Sequence, residues 1–113
     1  MDNKNMNDQI KQNYIQWRAK EYQDNVGFFP IFSNFDKYFK QLSPGAITLY
    51  LYFGLKANYK NGTSFYSLNR IASDLGKTPR TITNWIQELV DAKLIYRKQN
   101  RLNSVSVTYL LPY

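Results

Sequence analysis

The fold of this chain is decided by residues 67–89, which read SLNRIASDLGKTPRTITNWIQEL. Apolar residues recur at helical spacing on both sides of Gly76, and this pattern predicts two short helices joined by a turn. Ser67 and the pair Thr78-Pro79 precede the two patterns. Both are typical helix starts, because a hydroxyl caps free backbone N–H groups and Pro is tolerated at the first helical position. Gly76 suits the turn because it adopts positive φ without steric cost.

Two helices joined across a glycine predict a helix-turn-helix unit in which each helix turns an apolar side toward the other. The predicted inner residues are Leu68, Ile71, Ala72 and Leu75 of the first helix and Ile82, Ile86, Leu89 and Val90 of the second. We expect Trp85 to pack in the core or against a following hairpin rather than to stack on a base.

The outer side of the second helix carries side chains that can hydrogen-bond base edges and phosphates in a major groove. The candidate DNA contacts at this helix are Lys77, Thr78, Arg80, Thr81, Thr83, Asn84 and Gln87. Glu88 and Asp91 would repel phosphate, so we expect the helix to enter a groove by its N-terminal turns.

A β-hairpin is predicted directly after this helix. Residues 94–98 read as one strand, and residues 104–110 alternate polar and apolar side chains as a half-buried strand does. A polar, basic turn lies between them. The candidate DNA contacts at the tip of this hairpin are Arg97, Lys98, Asn100 and Arg101. A hairpin in this position converts the helix-turn-helix into a winged helix.

The stretch before residue 67 supplies a third helix. Ser43-Pro44 predicts its start, and the helix to about Ala57 is apolar on nearly every side, as a central, buried helix is. Residues 63–66 read as a short strand. The predicted class is therefore α+β, a winged helix-turn-helix with a three-helix core, a β-hairpin wing and an additional N-terminal helix.

The N-terminal part of the chain is predicted to be a helix followed by a short extended stretch. Residues 28–32 read as an edge strand or an extended segment because Pro30 cannot donate to a ladder, and Ser33 is expected to cap a short helix. Residues 7–24 have the periodicity of an amphipathic helix, ended by Gly27. Its apolar side is formed by Ile10, Tyr14 and Trp17. We expect that side to pack on the domain; the alternative is a surface for a homodimer or another partner. The expected domains are an N-terminal arm, residues 1–27, and a winged-helix DNA-binding domain, residues 28–113.

The net charge of the chain and its distribution indicate the kind of partner that the protein binds. The 113 residues carry a formal net charge of +7. Residues 43–113 hold nine basic and three acidic residues, whereas residues 1–42 hold six basic and five acidic. A basic, single-domain chain favours a polyanion partner, and the excess charge directs the search to its second part.

The residue types argue against an enzyme. The sequence has no Cys and no His. It therefore lacks the two commonest zinc ligands, the thiol nucleophile that Cys supplies and the general base that His most often supplies. It also lacks a carboxylate pair and a phosphate-binding glycine loop, so we expect no cofactor and no metal. No apolar run approaches the roughly 20 residues that span a bilayer. We expect a cytoplasmic protein without a membrane partner.

Residues 28–111 resemble the winged-helix DNA-binding domain of plasmid and phage replication initiators and replisome-organiser proteins of Gram-positive bacteria. The phrases that carry the resemblance are FDKYF (35–39), LSPGA (42–46), LY (49–50), NGTSF (61–65), the helix pair and AKLI (92–95). Lys93 stands where the family commonly has Gly. The resemblance implies a bacterial protein that binds DNA in the replication or regulation of a mobile element, with a replication protein as a further partner.

Three functions remain open at this point. The first is duplex DNA binding by the second helix and the wing. The second is single-stranded DNA binding on the same fold, because aromatic rings beside cations stack on unpaired bases. The tyrosines that lie near basic residues are Tyr59, Tyr66, Tyr96 and Tyr109. The third is a protein-interaction module whose N-terminal helix docks on a replication partner.

Overall fold

A computed structural model describes residues 3–99 and 106–113 of the chain. In chain order the elements are helix α1 (Asn3–Gln23), a 3₁₀ helix (Ser33–Phe39), α2 (Pro44–Lys56), strand β1 (Thr63–Ser64), α3 (Leu68–Leu75), α4 (Pro79–Asp91), β2 (Ile95–Gln99) and β3 (Ser106–Leu110). The protein is therefore an α+β protein that contains a helix-turn-helix.

Three of the helix starts predicted from local sequence are confirmed. The hydroxyls of Ser43, Ser67 and Thr78 each accept a hydrogen bond from the backbone N–H three residues later, which caps α2, α3 and α4. Gly76 ends α3 in the left-handed region with φ 64°. These signals are reliable because each concerns groups only a few residues apart.

The core is built around α2, which packs against α4 and β3. Ala46, Leu49 and Phe53 are fully buried. From the helix-turn-helix, Ile71, Ala72, Ile82 and Leu89 join them. The predicted central position of α2 is thus confirmed, although Leu55 is 67% exposed at its C-terminal end. Val90 is also exposed, which corrects its prediction as an inner residue of α4.

The three strands form one antiparallel sheet in the order β1-β3-β2. In β2 and β3, Ile95 lies opposite Leu110 and Gln99 opposite Ser106. β1 is shorter than predicted and pairs only Thr63 and Ser64 with β3. The connection between β2 and β3, which includes the candidate contacts Asn100 and Arg101, lies outside the described residues.

The segment from Gly27 to Phe32 forms neither a helix nor a strand, and Phe32 at its end has extended backbone angles. Aromatic packing joins this part of the chain to α2: the Phe29 ring lies 5.6 Å from that of Tyr50, and the ring of Phe35, in the helix that follows, stacks on Tyr50 at 4.8 Å. The short helix that follows is a 3₁₀ helix whose N-cap is Phe32. The prediction that Ser33 caps it is wrong, because Ser33 is already its first residue.

Helix α1 projects from the rest of the chain. The expectation that its apolar side packs on the domain is wrong, since Ile10, Tyr14 and Trp17 are 55–60% exposed. The helix ends at Gln23, before Gly27, and Asn25 in the turn that follows adopts φ 58°. The projection contributes to an elongated molecule that measures 63 × 32 × 28 Å.

Candidate nucleic-acid interface

Glu88 fixes helix α4 to the start of α2. Its two carboxylate oxygens accept hydrogen bonds from the backbone N–H of Ser43 at 2.8 Å and from the Ser43 hydroxyl at 2.7 Å. The negative charge also lies at the N-terminus of α2, where the helix dipole favours an anion. The sequence interpretation treated Glu88 only as an acid that repels phosphate and missed this role.

Trp85 brings the same two helices into close contact. Its indole lies directly against Gly45 in the first turn of α2, and a Cβ on Gly45 would overlap the indole ring. The indole is half-buried and packs against the core. This supports the prediction of a packing role for Trp85, in the core rather than against the hairpin.

The turn between α3 and α4 fixes the angle between the helices. The N–H of Gly76 donates to the carbonyl of Ser73, and the N–H of Lys77 donates to that of Ala72 at 3.0 Å. This pair of bonds satisfies the last carbonyls of α3 and turns the chain sharply. Lys77 then lies exposed immediately before the N-cap of α4.

One exposed face of α4 gathers four of the predicted contacts. They are Arg80, Thr83, Asn84 and Gln87, spaced so that they share a side of the helix. Gln87 also donates to Asp91 at 2.8 Å, which holds its amide along the helix surface. We call these four residues the α4 face.

The hydroxyls of Thr78 and Thr81 are used within the helix start. Thr78 Oγ1 accepts from the Thr81 N–H at 3.2 Å and lies 3.0 Å from the Thr81 hydroxyl. Thr81 is only partly exposed. Both residues therefore position the first turn of α4, which presents Arg80.

The basic side chains around α4 are available to an anion. Within residues 3–99 and 106–113 the one ion pair joins Arg70 and Asp74. Lys77, Arg80 and Lys98 are exposed and outside that pair. The Tyr52 hydroxyl donates to Asp74 at 2.7 Å, and this bond, together with Arg70, holds the Asp74 pKa below its ordinary value.

Arg97 does not lie at the tip of the hairpin, which corrects its predicted place. Its guanidinium turns inward, donating to the hydroxyl of Thr108 and to the carbonyl of Tyr66. It lies 5.9 Å from the centre of the Phe53 ring, and burial lowers its pKa. Arg97 therefore ties β2 to β3 and to the chain before α3, whereas Lys98, the next residue, points to solvent.

Comparison with known families gives the class of this domain. Residues 40–95 match the family model of a helix-turn-helix domain. This range contains all of α2, α3 and α4, and therefore the α4 face. Domains of this family are generally non-enzymatic and bind DNA. The predicted helix-turn-helix is confirmed, and a domain of this class suggests DNA binding.

Searches of the curated proteins and of the solved structures gave no match to the chain. Among the residues that the structure describes, no helix has both the length and the apolar character needed to cross a membrane.

Proposed function

We propose that this protein is a non-catalytic winged-helix protein that binds duplex DNA. The α4 face enters the major groove, and the hairpin of β2 and β3 lies along the adjacent backbone. The observation that carries the proposal is that Arg80, Thr83 and Asn84 are exposed together on the side of α4 opposite the buried Ile82 and Leu89.

The α4 face has chemistry suited to both parts of DNA recognition. Arg80 follows Pro79 in the first turn of the helix, where its guanidinium can pair with a phosphate or with guanine. Asn84 offers an amide that can bond adenine in a bidentate manner. Lys77 and Lys98 add exposed cations before the helix and on β2, which suits contact with phosphate.

The order of elements supports the winged-helix assignment. A β-hairpin directly follows the second helix of the helix-turn-helix, and β1 extends it to a three-stranded sheet. We propose residues 28–113 as the DNA-binding domain and residues 1–27 as an arm. Asn100 and Arg101 stay in the proposal as contacts of the wing, while Arg97 acts by holding the wing to the core.

Charge reversal at Arg80 tests the duplex interface. Arg80→Glu is expected to weaken binding of a labelled mixed-sequence duplex at least tenfold, and to reduce the slope of log affinity against log salt by about 1. Fluorescence anisotropy over a salt series measures both. Lys37→Glu, which makes the same change in net charge on the 3₁₀ helix, is the matched control and should bind nearly as the natural chain does. Duplex binding unaltered by Arg80→Glu would refute the proposal.

We place this activity in the replication or regulation of a plasmid, phage or other mobile element. The resemblance of residues 28–111 to initiator domains supports this role. In the LSPGA phrase, Ser43 is the cap that Glu88 binds, and Gly45 admits Trp85. Binding to duplex fragments tiled across the element that encodes the chain tests the role, and a preferred site beside a replication origin or promoter is expected.

We further propose that α1 joins two copies of the chain. The observation in favour is that large apolar side chains are exposed along it, among them Ile10 at 60% and Trp17 at 57%. A two-fold dimer would present two α4 faces to a site with two half-sites.

A further inference from the structure

A pair of tyrosines lies on the outer face of the three-stranded sheet. Tyr96 of β2 and Tyr109 of β3 are directly opposite in the register. Their ring centres are 5.8 Å apart with a tilt of 38°. Tyr96 is 54% exposed, whereas its neighbour Ile95 on the inner face is 2% exposed. Tyr96 gives the pair an open ring, Tyr109 is partly covered, and neither ring is among the proposed duplex contacts.

The charge beside this pair is positive. Lys98 lies on the same face as Tyr96, because side chains two residues apart in a strand point the same way. It is exposed and takes no part in the ion pair between Arg70 and Asp74. The strand sequences TS, IYRKQ and SVTYL contain no acidic residue. We call Tyr96, Tyr109 and Lys98 the tyrosine–lysine face.

The other two tyrosines raised by the sequence differ in their surroundings. Tyr66 is partly covered, with the Tyr52 ring at 5.8 Å and the Arg70 guanidinium at 5.8 Å from its centre. Tyr59 is 89% exposed, but within the described residues no second ring packs against it. Among the four tyrosines, only the pair on the sheet combines an open ring, a second ring and a cation.

We propose that the tyrosine–lysine face binds the unpaired bases of single-stranded nucleic acid. Base faces stack on aromatic rings while a neighbouring cation contacts the phosphate, without preference for sequence. A duplex does not offer this contact because its base faces are covered by stacking. A second copy of the chain is a poorer occupant of this face, since a two-fold contact through it would bring the two exposed Lys98 side chains near one another. The inference goes beyond the proposed duplex binding and does not depend on it.

The test compares two probes with the full chain at one salt concentration: a labelled oligothymidylate, which cannot form a duplex with itself, and the labelled mixed-sequence duplex. Tyr96→Leu keeps an apolar side chain on β2 and removes the ring. It should weaken oligothymidylate binding about tenfold and leave duplex binding unchanged. Tyr96→Phe keeps the ring and should bind as the natural chain does. Lys98→Ala should weaken oligothymidylate binding with a reduced salt dependence, and it should also weaken duplex binding because Lys98 is a proposed phosphate contact there, so Tyr96 is the residue that separates the two activities.

Tyr59→Leu is the matched control, because it removes an exposed but isolated ring. An equal loss in Tyr59→Leu and Tyr96→Leu would overturn the assignment to the sheet. Failure of the natural chain to bind oligothymidylate at low salt would also overturn it, as would full binding by a folded Tyr96→Leu variant. A shift from dimer to monomer in that variant would assign the face to contact between copies instead. Arg80→Glu should affect only the duplex probe, so the two proposals can fail separately.

Discussion

Gly76 and Lys93 occupy the same position at the ends of α3 and α4, with φ of 64° and 60°. At both helix ends the same two hydrogen bonds close the last turn: Lys93 N–H donates to Val90 and Leu94 N–H to Leu89, each at 3.0 Å. Glycine adopts this conformation freely, whereas Cβ of any other residue approaches the following carbonyl. The domains that residues 28–111 resemble commonly have Gly at the position of Lys93, and a glycine there would adopt the left-handed conformation without this steric cost.

Lys93→Gly is therefore expected to stabilise the protein by about 0.5–1 kcal/mol. The substitution removes the steric cost of the left-handed conformation, and the greater conformational entropy of glycine in the unfolded chain offsets part of this gain. Gly76→Ala should destabilise it by about 1 kcal/mol. A Cβ at Gly76 would meet no atom within 4 Å, so the loss reports conformation alone. Urea unfolding measures both changes. A loss of stability in Lys93→Gly would contradict this account.

Asp74 gives the stability a dependence on acid pH. Its pKa is lowered first by the hydrogen bond from Tyr52 and then by Arg70, against an ordinary value of 3.8. A lowered folded-state pKa stabilises the protein above the unfolded-state pKa, and this contribution is lost as the pH falls through the folded-state pKa. The free energy of unfolding, measured by urea between neutral pH and about pH 2, should fall less in Asp74→Asn than in the natural chain. Tyr52→Phe should lie between them, and equal pH profiles for all three would exclude this role.

At the scale of residues, the sequence predicts what depends on near neighbours. The caps at Ser43, Ser67 and Thr78 are of this kind. The roles of Glu88 and Arg97 could not be predicted, because their partners are distant in sequence. Ser43 precedes Glu88 by 45 positions, and the Tyr66 carbonyl precedes Arg97 by 31. From sequence alone, a carboxylate or guanidinium that binds a distant partner cannot be distinguished from a charge on the surface.

At the scale of elements, the contact between α2 and α4 sets the direction of the α4 face. It combines the close approach of Trp85 to Gly45 with the two hydrogen bonds that Glu88 accepts from Ser43. The helix-turn-helix was predictable as a pair of helices, since its turn and caps are local. The angle at which α4 is held was not, because it depends on a glycine and a carboxylate in separate helices.

Glu88→Ala should lower the free energy of unfolding by about 1–3 kcal/mol, because it leaves the Ser43 N–H and hydroxyl without their acceptor. Urea unfolding at neutral pH measures the loss. Asp91→Asn is the matched control on the same helix. Its side-chain oxygen can still accept from Gln87, so the change should stay within about 0.5 kcal/mol. Equal effects of the two substitutions would show that Glu88 contributes only its charge.

Helix α1 shows that the periodicity of apolar residues predicts a helix but not the surface against which that helix packs. The pattern of apolar residues predicted a helix, and the structure has a helix at Asn3–Gln23. The same pattern predicted packing on the domain, whereas Tyr14 and Trp17 are exposed and lie with ring centres 5.8 Å apart. Spacing identifies an apolar side but carries no information on the surface that covers it.

At the scale of the whole molecule, α1 is separable from the rest. Its side chains from Asn5 to Gln23 are exposed, except that Glu21 is partly so. Removal of residues 1–24 takes few contacts from the core, and tolerance to truncation follows from burial rather than from position in the chain. The shortened chain should therefore remain folded.

Sedimentation equilibrium tests the same deletion for the proposed dimer. The full chain is expected to sediment as a dimer and the chain lacking residues 1–24 as a monomer, with circular dichroism and cooperative urea unfolding as the check that it folds. Trp17→Glu should shift the full chain toward monomer because it places a charge among the apolar side chains of α1. A full chain that sediments as a monomer would exclude the dimer, and a truncated chain that stays dimeric would assign it to another surface.

The separation between the α4 face and the core has an evolutionary consequence. None of Arg80, Thr83, Asn84 and Gln87 is buried, and the contacts that orient α4 belong to Trp85 and Glu88. Under the proposed duplex binding, replacements at those four positions would change the DNA site that the protein prefers while its folding energy hardly changes. A lineage of such chains could diverge in the sites it recognises by a handful of codon changes, on an unaltered scaffold.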